Sequence, residues 1–289
     1  MHADELETDA AVVRRLLRVQ FPEWAGLPIE RVPSSGTDNA LYRLGRELVA
    51  RLPRIHWAVG GLEHELEWTP RLAPLLPVAV PELVAKGEPA DGYPWPWAIY
   101  RWLEGENPVP GAVDERELAR LVRAFRELEL PGGKRTRRGK ALVTQDAATR
   151  KALGELDGMI DTDAAAAVWD EALATPVWSD APVWLHGDLL PGNLLARGGR
   201  LVAVIDFALV GVGDPACDLL PAWALLQGPA RHRFRLEAGV DDATWSRGRG
   251  WALTIGLVAL PYYKDTNPGF AAVARHLIDE VLGETNIRS

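Results

Sequence analysis

Near residue 104 the hydrophobic pattern of this chain changes period, and that change dictates two unlike regions. Before it, short apolar runs alternate at period two between turn formers, as half-buried strands require. After it, apolar residues recur at steps of three and four, the spacing of a helix face. Val12, Val13, Leu16 and Leu17 predict an amphipathic helix over 10–20, and residues 29–33 form a short alternation. Residues 41–44 and 48–52 predict strands turning at Gly45-Arg46. A helix is predicted over 62–76, with Leu62, Leu66, Leu72 and Leu76 inward and a kink or second start at Pro70. Residues 80–85, broken by Pro81, predict an edge strand, and 97–103 another.

Past residue 104, Asp114 is placed to cap a helix over 115–128, with Glu117 closing a capping box. Helices over 145–156 and 163–173, a strand over 183–185 and a hairpin over 194–204 turning at Gly198-Gly199 come next. Helices return from residue 218. The fold class expected is therefore α+β in two lobes: residues 1–103, a small mainly antiparallel sheet with a helix, and 104–289, a larger helical lobe. The hinge falls over 99–105.

Composition narrows the function classes. With 47% apolar residues the chain can bury a core, and its single cysteine, Cys217, excludes an internal disulfide or a thiolate zinc cluster. The 12 tryptophans are expected mostly in the core. A net charge of -8 opposes sequence-independent nucleic-acid binding. Residues 1–9 are acidic and polar, unlike a signal peptide, and the longest strongly apolar stretch, 251–260, is about half a bilayer span. A cytoplasmic location without membrane or nucleic-acid partners is expected. The basic run Lys134, Arg135, Arg137, Arg138 and Lys140 reads as a solvated loop after Pro131-Gly132-Gly133.

The chemistry concentrates in His186-Gly187-Asp188-Leu189-Leu190-Pro191-Gly192-Asn193 and in Asp206, 18 residues beyond Asp188. A hairpin between them returns the chain to its start, so the two aspartates and Asn193 can converge. Two carboxylates and an amide oxygen suit a hard cation such as magnesium. One carboxylate can instead take a proton from a hydroxyl nucleophile, and phosphoryl transfer needs both functions.

On these residues the chain resembles the aminoglycoside phosphotransferase family, of protein-kinase-like fold, over residues 32–270. Val49-Ala50-Arg51-Leu52-Pro53-Arg54 looks like its macrolide-phosphotransferase-like branch. The resemblance implies Asp188 as catalytic base, Asn193 and Asp206 as magnesium ligands, and His186 and Asp218 as braces of the catalytic loop. It places Ser34, Ser35, Gly36 and Thr37 over the nucleotide phosphates, although this loop lacks the repeated-glycine fingerprint. Arg51 stands where many family members place the lysine that pairs nucleotide phosphates, and where the macrolide-phosphotransferase-like branch commonly has arginine. Glu65 is its implied partner through a Glu-x-x-Trp pattern ending at Trp68, with Glu63 and Glu67 as neighbouring alternatives. Ile99, Tyr100 and Trp102 correspond to the interlobe segment that meets the base, and Tyr262, Tyr263 and Asn267 to a cleft-lining stretch.

The implied activity is magnesium-dependent transfer of the γ-phosphoryl group of ATP or GTP to a small-molecule hydroxyl. An aminoglycoside, a macrolide or a related natural product is the leading acceptor, which would make the chain an antibiotic-resistance enzyme. A kinase for a sugar or amino alcohol is the enzyme alternative. A nucleotide-binding or interaction module that transfers nothing is the alternative of another class.

Overall fold

A computed structural model describes residues 5–33, 36, 38–90 and 92–284 of the chain. Helix α1 (Ala10–Gln20) is capped by Asp9, whose side chain accepts the Val12 N–H at 2.8 Å. Its Val13, Leu16 and Leu17 face packs on a five-stranded antiparallel sheet. The strands are β1 (Ile29–Arg31), β2 (Asn39–Leu44), β3 (Leu48–Pro53), β4 (Leu83–Gly87) and β5 (Trp97–Arg101), in the order β1-β2-β3-β5-β4. Strands β2 and β3 turn at Gly45, whose φ of 59° is the region glycine tolerates. Strand β4 lies on an edge and starts beyond Pro81, which has no N–H for a ladder. Strand β5 ends at Arg101, short of the expected 103.

Helix α2 (His56–Leu72) begins six residues before the expected start at 62 and contains Pro70 in its last turn without a second helix beginning there. Gly60-Gly61 disguised the early start, because glycine lowers helix propensity. Gly61 serves packing instead: a Cβ there would come within 3.0 Å of the Ala208 Cβ. The helix thus lies directly on the segment following Asp206.

The second lobe runs through α3 (Glu115–Arg126), α4 (Asp146–Glu155), α5 (Thr162–Ala174), β6 (Val183–Leu185), β7 (Leu194–Arg197), β8 (Arg200–Val204) and β9 (Gly211–Gly213). Four helices complete it: α6 (Pro221–Ala224), α7 (Gly228–Ala238), α8 (Asp242–Tyr263) and α9 (Pro268–Gly283). Trp169, Trp223 and Trp251 are fully buried in its core, while the Trp68 and Trp184 rings pack tilted to each other, centroids 4.9 Å apart, where α2 meets β6. Among the described residues, no helix is long and apolar enough to cross a membrane.

Asp114 caps α3 through the Arg116 N–H at 2.8 Å, but Glu117 does not close a capping box. Its carboxylate accepts the Leu201 N–H at 2.6 Å and Arg200 Nε at 3.1 Å, since two donors, one charged, outcompete one backbone amide. The β7–β8 hairpin is held on other sides too. Ala79 bonds Val202 and Val204 at 3.0 Å each, and Glu106 and Ala196 exchange bonds of 2.9 and 2.8 Å. Residues 79 and 106 therefore both fix the hairpin that separates Asn193 from Asp206.

Strand β9 was not foreseen, being a three-residue Gly-Val-Gly. It pairs with β6 and also holds the basic run, which is therefore not a freely solvated loop. Val212 N–H donates to Lys134 O at 2.9 Å, Thr136 N–H to Val212 O at 3.3 Å, and Asp214 N–H to Gly139 O at 3.0 Å. Only glycine permits this approach: a Cβ on Gly213 would lie 2.3 Å from Gly139 O.

Candidate active site

The loop after β6 owes its shape to two anchors. Asp218, buried, accepts the N–H groups of His186 and Gly187 at 2.7 Å each. Gly187 has a φ of 85°, and a Cβ there would meet Leu209 O at 2.9 Å. The second anchor is His186, fully buried edge-on to Phe207 at 5.1 Å and near Phe125 at 5.8 Å. Its Nε2 lies 3.2 Å from Ile205 O, and its Nδ1 accepts the Asp188 N–H at 3.3 Å. That pattern makes His186 a brace between the loop and the far end of the hairpin.

Asp188 and Asn193 meet directly: Asn193 Nδ2 donates to Asp188 O and Oδ2, both at 2.9 Å. The amide nitrogen is thereby turned toward Asp188. Asn193 O in turn accepts the Ile205 N–H at 2.9 Å, which sets Asp206 next to it in the chain. Asp206 is the one non-glycine residue of positive φ among those described, at 65°. Such strain persists only where the surroundings impose it, and it clusters at functional sites. Burial raises the Asp188 pKa; Arg138 opposes the rise and Asp206 adds to it.

Across from this loop, β3 and α2 supply a buried ion pair. Arg51 bonds Glu65, which is fully buried, and its other terminal nitrogen reaches Asp206 Oδ1 at 3.1 Å. Glu65 also accepts Tyr100 Oη at 2.7 Å and the Phe207 N–H at 2.8 Å. Burial alone would lower the Arg51 pKa, but Glu65 and Asp206 outweigh it and raise it. Burial, then Glu65, raises the Tyr100 pKa, so the phenol stays a donor. Of the three helix acids, Glu65 faces inward, and Glu63 and Glu67 are exposed. His64 Nε2 adds a contact to Val210 O at 2.7 Å.

Asp188, Asn193, Asp206, Arg51, Glu65, Tyr100, His186 and Asp218 thus form one connected cluster. Ser34, Ser35 and Thr37 lie outside the described residues, and Gly36 sits between them. Ile99 and Tyr100 are in the sheet on β5, while Trp102 N–H donates to Glu47 O at 2.7 Å. Tyr262, Tyr263 and Asn267 form the α8–α9 corner. Tyr262 is exposed and edge-on to Tyr263 at 4.7 Å; Asn267 caps α9 through the Phe270 N–H at 3.1 Å. Cys217 is buried, which pushes its thiol up and away from a nucleophilic thiolate.

Sequence reasoning missed two groups at this site. One is the Tyr100 hydroxyl, whose position had been read for its backbone. The other is Arg138, whose terminal nitrogen lies 3.9 Å from Asp188 Oδ1. Nothing in a run of loop cations distinguishes the one that turns inward.

The His186 environment has a measurable consequence. Burial pushes its pKa down to about 4, against the upward pull of Asp206, whereas the unfolded value is 6.5. The imidazole is neutral in the folded chain, and the unfolded chain gains a proton below about pH 6.5. This stability is complete above that pH and is lost as pH falls through about 4, a difference of about 3 kcal/mol. Asp218, pushed up to about 7 by burial, works in the opposite sense between about pH 4 and 7. It is common to wild type and His186→Phe, so the comparison cancels it. In urea unfolding at pH 4 to 7, the stability gap between the two should shrink by about 3 kcal/mol toward pH 4. A constant gap would contradict the buried neutral imidazole.

Known proteins share this architecture. The GDP complex of wild-type aminoglycoside 2'-phosphotransferase-IIIa superposes with a TM-score of 0.74 at 18% identity, covering 96% of this chain and all (100%) of that one. The macrolide 2'-phosphotransferase MphH from Brachybacterium faecium gives a TM-score of 0.59 at 21% identity, covering 94% and 97%. A thermostable mutant of the aminoglycoside phosphotransferase APH(4)-Ia, complexed with AMP-PNP and hygromycin B, gives 0.61 at 21%, covering 94% and 98%. At these identities the likeness speaks for the fold. No curated protein sequence matches the chain. A family model does: the one described as the phosphotransferase enzyme family matches residues 30–251, well over half of the chain. With a bilobal fold and the Asp188–Asn193–Asp206 cluster at its centre, the chain belongs to the phosphotransferase enzyme family.

Proposed function

We propose that the chain transfers the γ-phosphoryl group of ATP or GTP to a hydroxyl of a small molecule, with Asp188 as the base that receives the hydroxyl proton. The carrying observation is the convergence of Asp188, Asn193 and Asp206 with the Arg51–Glu65 pair in one cluster between the sheet and the catalytic loop. Ser34, Ser35, Gly36 and Thr37 are assigned to the donor phosphates, and Ile99, Tyr100 and Trp102 to the base-binding segment between lobes. Tyr262, Tyr263 and Asn267 are assigned to the acceptor side.

The donor set fits magnesium. Asn193 commits its amide nitrogen to Asp188, so its Oδ1 is the group left to ligate, and Asp206 brings a carboxylate. Among the described residues, no group of three His, Cys, Asp or Glu is built to hold a metal. One carboxylate, one amide oxygen and nucleotide phosphates match magnesium's habit of sharing its ligands with a substrate. When bound, the ion supplies charge neutralisation on the donor phosphates. Arg51 lies on Asp206 and is held there by Glu65, so its guanidinium is aligned to bind donor phosphate oxygens at the same place. Asp218 and His186 hold the Asp188 loop in position, which is most of what this reaction asks of a protein.

The test is a mass-shift screen with magnesium and either ATP or GTP. Aminoglycosides and macrolides come first because structural relatives are named for them; sugars and amino alcohols follow. An acceptor heavier by one phosphoryl group is the expected product. A chain that binds neither magnesium–nucleotide pair would end this reading.

A further inference from the structure

Arg138 stands apart from its basic neighbours. Lys134, Arg135, Arg137 and Lys140 are exposed, whereas the Arg138 side chain is only 21% exposed and points at the catalytic loop. Its position is fixed from behind. The backbone of its loop is bonded to β9, and a Cβ on Gly187 would already touch the Arg138 Cβ at 3.3 Å. The guanidinium lies 5.8 Å over the Trp251 ring, an aromatic floor on α8.

Its donors are incompletely used. The 3.9 Å approach of Nη2 to Asp188 Oδ1 is an ion pair beyond hydrogen-bond length. Nε is buried and donates to no atom among the described residues. A planar cationic fork matches phosphoryl and carboxylate oxygens. The place where Arg138 offers it is beside the residue assigned as base, where negative charge has to be stabilised during transfer.

We propose that Arg138 is an oxyanion-binding residue of this active site, its guanidinium taking a phosphoryl or carboxylate oxygen brought next to Asp188. This rests on the phosphotransferase reading. The oxyanion has two possible sources: the terminal phosphoryl group of the donor, or an anionic group of the acceptor near its reacting hydroxyl. In the second case the acceptor is an anionic hydroxyl compound, and a polycation is disfavoured there.

Calorimetric titration of the full chain separates these cases. The variants are Arg138→Gln and Arg138→Met, the second keeping the aliphatic stem over Trp251. The probes are magnesium with ADP, AMP-PNP and the guanine counterparts, and inorganic phosphate with and without nucleotide. Either folded variant should bind magnesium–ADP within about two-fold of wild type and inorganic phosphate roughly ten-fold or more weakly. A matching loss for AMP-PNP relative to ADP assigns the oxyanion to the donor. Unchanged AMP-PNP affinity, with Arg138-dependent phosphate binding on top of it, assigns it to the acceptor. Phosphate and AMP-PNP affinities that are equal in wild type and a folded variant, or no phosphate binding together with equal AMP-PNP affinities, overturn the proposal. Failure of wild type to bind any nucleotide strikes the phosphotransferase reading instead, and the nucleotide-free phosphate titration still judges Arg138.

Discussion

Asp188→Asn should lower kcat with a verified acceptor by roughly 10²- to 10⁴-fold, the range general-base catalysis supplies. That corresponds to about 3–5 kcal/mol of barrier. The substitution is close to isosteric. An asparagine carbonyl at this position can still accept the Asn193 Nδ2 hydrogen, which now donates to Asp188 Oδ2 at 2.9 Å. Loop shape and nucleotide affinity should therefore hold within about two-fold while proton acceptance is lost. Asp206→Asn should show the opposite split, weakening magnesium-dependent nucleotide binding because it removes the one charged protein ligand assigned to the ion. Steady-state kinetics with calorimetry of the magnesium–nucleotide complex read both. Transfer by Asp188→Asn at the wild-type rate would remove the base from Asp188, and a loss matched by a fall in melting temperature would make the residue structural.

That pairing was legible because the chemistry is local. Asp188 and Asn193 are five residues apart, and the hairpin that returns the chain to Asp206 announces itself through Gly198-Gly199 between two apolar runs. Asp218 and Glu65 were reached only by resemblance, since a buried acid and an exposed one look alike in a sequence. What stayed hidden depends on long-range geometry. Glu117 obeys the spacing of a capping box, yet the hairpin lying against α3 offers it better donors. Strand β9 has too few residues to show a period, and its glycines matter for the backbone they admit at Gly139. Arg138 is one cation among five in a run, and only the bonds from β9 decide which one faces Asp188. Patterns of period two or 3.6 reveal faces of elements; they carry no information about which loop side chain a neighbouring strand turns inward.

Glu65→Ala should be among the most destabilising single substitutions in the sheet lobe, by about 3–5 kcal/mol, the usual cost of breaking a buried ion pair from one side. The carboxylate serves three donors at once: Arg51, the Tyr100 hydroxyl and the Phe207 N–H. Truncation leaves the buried Arg51 guanidinium with only the more exposed Asp206 at 3.1 Å and the buried Tyr100 phenol without its acceptor, and it frees the backbone next to Asp206. For a chain of this size the melting temperature should fall by roughly 5–15 °C. Nucleotide affinity should fall with it, since Arg51 loses the partner that holds it in place. Glu63→Gln and Glu67→Gln, on the exposed side of α2, should stay within about 0.5 kcal/mol of wild type. Arg51→Met alone should cost less than Glu65→Ala, because Tyr100 and the Phe207 N–H still satisfy the carboxylate. Adding Arg51→Met to Glu65→Ala should then recover part of the loss by removing a buried charge that has lost its buried partner. The cycle is read by chemical denaturation, with calorimetry for the nucleotide. Purely additive losses would mean that the two side chains do not act as a pair, and Glu65 would then hold the lobes together through Phe207 rather than through Arg51.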